Sequence, residues 1–175
     1  MKTLVEQLAQ YGSYHRDGRN ILTHFFGVPM ILLAVVILLS RPVWLVESLG
    51  LPVSPAVIAA LLAAVYYVLL DLRYGMVLGV VLAAMLSLGH WLAQGSTTVW
   101  LVWGVGLFVV GWVIQFVGHY WEGRKPAFMD DIVGLLIGPL FVLAEMGFAL
   151  GLRKALQHEV ELRCGPVRNT VPTAV

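Results

Sequence analysis

The chain has 175 residues and a formal net charge of +1; hydrophobic residues make up 59% of it and charged residues only 12%. Soluble domains carry about 25% charged residues, so this composition leaves half the usual polar surface missing, and the near-neutral charge without a basic patch gives no hint of a nucleic-acid partner. A mean hydropathy of +0.86 and apolar runs long enough to cross a bilayer mark an integral membrane protein.

Residues 2–14 place Leu4, Leu8 and Tyr11 at helical spacing with Val5 beside them, which predicts a short amphipathic helix at the membrane surface. No apolar stretch with a cleavage site precedes the first span, so that span is expected to be retained. Asp17-Gly18 is a turn signal, and Asn20 is the expected N-cap of a first span over 21–39. Pro29 lies inside that span and predicts a kink near Phe25. Further spans are expected over 53–70, 74–93 and 99–117. The connections between them are an interfacial loop over 40–52 containing Glu47, a charged turn at Asp71–Arg73 and an uncharged turn over 94–98.

The run 132–150 is apolar but holds Gly134, Gly138, Pro139 and Glu145. These fit a re-entrant or broken element buried against protein better than a fifth full span. The expected fold is therefore an all-α, polytopic transmembrane bundle of about four spans, with the broken element and the N-terminal interfacial helix added. Residues 1–163 would form one domain, and 164–175 a flexible tail. Lys2, Arg16, Arg19, Arg73, Arg124 and Lys125 fall on alternate connections, which puts the N-terminus and the segment after the fourth span on the cytoplasmic side.

Polar chemistry concentrates in Gln115–Asp131. On a helix Gln115, His119 and Glu122 sit at i, i+4 and i+7, within roughly 60° of one another. His15 and His24 flank the Asp-Gly turn at the start of the first span, at the membrane level expected for His119. Three histidines from separate elements at one level can assemble a metal site, although a histidine near a helix end is more often a satisfied interfacial group. Glu122 could be a ligand, a base or a support, or could pair with Arg124 or Lys125. Glu145 must be paired, protonated or face a polar cavity, and is read as a catalytic group or an arginine partner. Asn20, Gln115 and Asp131 are read as supports, with Asp130 and Asp131 capping the following helix. His90 is placed by topology at the far end of the third span, and His158 on a solvated face. Imidazole with carboxylate and no thiolate admits iron, zinc, copper or nickel. The lone Cys164 forms neither an internal disulfide nor a thiolate zinc site.

Three blocks together resemble a known family. They are Tyr14-His15 with Asn20, His24 and Pro29; QFVGH (Gln115–His119) with Glu122, Arg124, Pro126 and Ala127; and Asp131, Pro139 and Glu145. The chain resembles, over about Gln7–His158, the membrane-bound 2-hydroxy fatty acid dioxygenases. The resemblance implies iron(II)-dependent α-oxidation, in which dioxygen converts a 2-hydroxy fatty acid to the acid one carbon shorter with release of carbon dioxide. It implies His15, His24 and His119 as iron ligands and brings His90 forward as a further one. Some relatives carry a second histidine where Arg16 stands, so that position is not a ligand here. Arg16, Arg19, Arg124 and Lys125 are candidates to hold the substrate carboxylate. The site would face the cytoplasm, in the inner membrane of a bacterium or the endoplasmic reticulum of a eukaryote. From other classes, the rival readings are a small membrane transporter and a structural protein whose histidines only join helices.

Overall fold

A computed structural model of the chain describes residues 2–46, 51–129, 131 and 133–168. Glu47, Asp130, Ile132 and residues 169–175 of the expected tail lie outside the described residues. The fold is all-α, with helices α1 (Leu4–Gly12), α2 (Gly18–Leu39), α3 (Pro55–Leu70), α4 (Leu72–Ala93), α5 (Thr97–Glu122), α6 (Gly134–Ala149) and α7 (Lys154–Cys164). Between α2 and α3, β1 (Trp44–Val46) and β2 (Leu51–Val53) pair antiparallel, with Trp44 opposite Val53. The chain divides into two compact units, Met1–Val28 with Val113–Val175, and Pro29–Trp112.

Among the described residues three helices, α2, α4 and α5, are long and apolar enough to cross a membrane. Along α5, Val102, Trp103, Val105 and Val109 are exposed, which suits lipid rather than water. Helix α3 occupies the second expected span but has only 16 residues, or about 24 Å against a hydrocarbon core of about 30 Å. It is short because Val53 is taken into β2, Ser54 accepts the Val57 N–H as a cap, and Pro55 starts the helix.

In the second unit α3 packs on α4 across a single joining residue, Asp71, whose side chain accepts the Tyr74 N–H at 3.0 Å. The joint is tight enough that a Cβ on Gly75 would lie 2.5 Å from the Val68 backbone. Arg41 closes the end of α4 by donating to the carbonyls of Ala93 and Gly95.

The first unit contains α1, α6 and α7 with the start of α2 and the end of α5. Helix α1 opens with a capping box between Thr3 and Glu6 and buries Leu4, Leu8 and Tyr11; it packs against α6 and α7. Helix α6 is buried nearly all round, as an apolar helix inside protein should be. It passes unbroken through Gly138 and Pro139, where the sequence predicts the interruption. The break comes later, at Gly151 (φ 75°) and Arg153 (φ 50°), and turns α7 by 117° from α6. A glycine in left-handed conformation just past a helix end lets the last carbonyls be satisfied; here the Leu152 N–H reaches back to the Gly147 carbonyl at 2.8 Å.

Candidate metal centre

Helix α1 stops at Gly12, and the next N–H groups fold back: Ser13 onto Ala9, Tyr14 onto Tyr11 and His15 onto Gly12. Helix α2 then starts at Gly18, capped by Asp17 rather than by Asn20. The Asp17 carboxylate accepts the Arg19 N–H at 2.9 Å, and its backbone carbonyl accepts the Ile21 N–H. Both residues are good caps. Asn20 is drawn inside the helix because its side-chain amide donates to the Tyr14 carbonyl and to Glu122. The guanidinium of Arg19 on Asp17 holds that carboxyl below its ordinary range.

This turn lays His15 beside His24, and the last turns of α5 bring His119 to both. His15 and His24 are fully buried and His119 is 6% exposed. The ring centroids lie 4.4 Å apart for His15 and His24, 4.9 Å for His15 and His119, and 5.1 Å for His24 and His119. Each histidine offers one nitrogen, all within 4.8 Å of one another.

For His15 and His24 the hydrogen bonds fix which nitrogens these are. His15 Nδ1 bonds the Tyr11 carbonyl at 2.7 Å, and His24 Nδ1 bonds the Asn20 carbonyl at 2.9 Å. A carbonyl only accepts, so both Nδ1 atoms carry the hydrogen and both Nε2 atoms of the neutral rings present a lone pair. Those two Nε2 atoms face each other at 3.1 Å. Burial pushes the His15 pKa well below its usual value, assisted by the neighbouring His24, so its ring is neutral. His119 Nδ1 is buried without a hydrogen-bond partner. Two facing lone pairs, with a nitrogen of the buried His119 ring in the same group, form a donor set that a cation satisfies. Nδ1–H on a backbone carbonyl is also the outer-shell contact that orients a metal-ligating histidine. The donor set therefore fits a metal ion. Tyr11 stacks parallel on His15, 4.2 Å between centroids, and Phe141 packs on both rings.

Among the described residues no carboxylate joins the three nitrogens. Both Glu122 oxygens are occupied: Oε2 accepts the Asp17 N–H at 2.7 Å and the Asn20 amide at 3.1 Å, and Oε1 accepts Arg168 at 2.6 Å. Glu145 forms a buried ion pair with Arg16 at 3.1 Å. Further Arg16 donors go to the carbonyls of Gly12, His15 and Gly165. Arg19 is paired with Asp17 and lies over the Trp121 ring. Arg124, exposed, donates to the Ser13 carbonyl, and Lys125 is exposed. Gln115 is buried one turn before His119. Asp131 accepts the Val133 N–H before α6 and the Gln10 amide from α1. His90 belongs to the second unit, exposed at the end of α4 and bonded to Gln94 at 2.7 Å. His158 is exposed.

Sequence reasoning missed the roles of Tyr11, Gly118 and Arg168. The four-residue spacing from Tyr11 to His15 was a usable signal. Gly118 stands next to His119 inside the QFVGH block. A Cβ there would run into Thr23 Oγ1 and lie 2.5 Å from Asn20 Oδ1, so only glycine lets α5 approach α2 this closely. Gly118→Ala is expected to destabilise the protein by about 1–3 kcal/mol, as overpacking does. Thermal unfolding in detergent measures it, and an unchanged midpoint would show that the helices part freely.

The family model described as 2-hydroxy-palmitic acid dioxygenase Mpo1-like matches residues 1–150. A relative from Saccharomyces cerevisiae, 2-hydroxy-palmitic acid dioxygenase MPO1, is 34% identical over 166 residues, covering 91% of each chain. No solved structure matches.

Proposed function

The chain belongs to the Mpo1-like family, and on that premise we propose that it is a membrane-embedded, iron(II)-dependent dioxygenase of 2-hydroxy fatty acids. One 2-hydroxy acid and one dioxygen give the acid one carbon shorter, one carbon dioxide and one water, so the equation closes without an external reductant. The observation that supports it most is the pair of hydrogen-free Nε2 atoms of His15 and His24, 3.1 Å apart, in a group to which His119 offers a third nitrogen. Helix-joining hydrogen bonds account for it poorly, because both rings have already spent their hydrogen on carbonyls. Iron(II) held by His15, His24 and His119 would supply the redox chemistry with dioxygen.

The chain's own residues do the rest. Tyr11 and Phe141 shield His15 from water. Glu122 and Glu145 serve as positioning residues: Glu122 ties the end of α5 to the start of α2, and Glu145 holds Arg16 against the Gly12 and His15 carbonyls. Asn20, Gln115 and Asp131 support the same elements. Arg124 and Lys125, exposed beyond the end of α5, receive the substrate carboxylate. The alkyl chain stays in the apolar phase, each methylene contributing about 0.8 kcal/mol. This end of the protein faces the cytoplasm, a reading supported by the distribution of lysine and arginine along the sequence.

Protein purified anaerobically with iron(II) should hold nearly one iron per chain. With dioxygen it should turn 2-hydroxyhexadecanoic acid into pentadecanoic acid, the C1 label appearing as carbon dioxide. Metal-free protein, or a 2-hydroxy acid left intact by the iron-loaded protein, would overturn the reading.

A further inference from the structure

We propose that Gly165–Arg168, the segment following α7, is a strap over the metal centre, and that Arg168 is a positioning residue holding the three histidines in ligating geometry through Glu122. This role rests on the metal reading above. The strap is tied at its backbone. The Arg168 N–H donates to the Arg16 carbonyl at 2.7 Å, and the Gly18 N–H donates to the Arg168 carbonyl at 3.2 Å, so Arg168 runs parallel to Asp17. Arg16 Nη1 fastens the other end on the Gly165 carbonyl at 3.0 Å.

From this position the Arg168 guanidinium reaches Glu122 Oε1 at 2.6 Å. The two side chains differ sharply in exposure, 62% for Arg168 and 1% for Glu122. An exposed cation thus neutralises a fully buried anion, and that anion touches every ligand-bearing segment. Glu122 lies three residues after His119 on α5. It accepts the backbone N–H of Asp17, two residues after His15, and the amide of Asn20, whose carbonyl orients His24. The same Asn20 amide reaches the Tyr14 carbonyl, next to His15.

A buried carboxylate left with neutral donors alone is costly, and turning toward water relieves the cost. That turn would withdraw the shared acceptor from Asp17 and Asn20 and loosen all three rings together. An ordinary surface ion pair would do none of this, being worth about 0–1 kcal/mol and leaving little void when cut.

The test measures iron(II) affinity by anaerobic chelator competition and the ligand-field absorption of the cobalt(II)-loaded protein. Arg168→Ala is expected to weaken iron(II) binding about tenfold, at the low end for outer-shell changes, and to shift the cobalt bands. Arg168→Lys should restore most of both. Arg163→Ala, which removes an exposed cation of α7, should change neither. In a Glu122→Gln background Arg168→Ala should add nothing, because both changes cut one link. If Arg168→Ala does not fold, Arg168→Gln keeps the stem without the charge and is held to the same outcomes. Wild-type affinity and unshifted bands in the Arg168 variant, or an undiminished effect in the Glu122→Gln background, would overturn the strap role while leaving the metal reading intact. A wild-type protein that binds no iron would overturn the metal reading itself, and the strap role with it.

Discussion

His24→Gln is expected to leave less than a tenth of the wild-type iron and to lower product formation by more than about 100-fold, beyond the 10–100-fold typical of outer-shell changes. His24 supplies one of only three nitrogens that converge among the described residues, and no nearby carboxylate can replace it. Without metal, the two Nε2 lone pairs face each other at 3.1 Å. A glutamine amide can offer an N–H to His15 Nε2, so the metal-free variant should unfold no more readily than metal-free wild type. Iron analysis, product assay and thermal unfolding of both apo proteins check this. A variant that keeps its iron and its turnover would remove His24 from the ligand set.

Glu145→Ala should be the most destabilising single change outside the histidines, at about 3–5 kcal/mol. The Arg16–Glu145 pair is buried on both sides, with side chains 8% and 10% exposed. Removing the carboxylate leaves a guanidinium in apolar surroundings, held by three neutral carbonyls. An apolar replacement of both partners, Arg16→Met with Glu145→Leu, should cost much less, because no charge remains buried. That double variant should still bind iron more weakly, since Arg16 Nε no longer holds the Gly12 and His15 carbonyls. Unfolding in detergent with iron titration separates the two effects. A single variant as stable as wild type would mean that the pair contributes nothing to folding.

Much of the candidate site was legible because its histidines lie close to local signals. His15 and His24 flank a turn-forming Asp17-Gly18, and His119 follows a long apolar run. The cap was misplaced for an equally local reason: Asp17 and Asn20 are both good caps three residues apart, and nothing between them says which carboxyl or amide will be wanted elsewhere. Glu122 decides it by accepting the Asn20 side chain from 102 residues away. The break after α6 was misplaced because Gly138 and Pro139 are the stronger composition signal. The left-handed Gly151 and Arg153 look ordinary in a polar stretch.

By itself the sequence determined the membrane class, the helical segments and the histidines worth watching. Those follow from composition, apolar periodicity and short-range spacing, which are properties of neighbours along the chain. Only the tertiary structure decided that Glu145 belongs to Arg16 and Glu122 to Arg168, and that two imidazoles point their bare nitrogens at each other. It also showed His90 bonded to Gln94, both within the second unit. The physical reason is that a buried charge takes whichever partner packing brings within about 3 Å, and that choice is made across a hundred residues of chain.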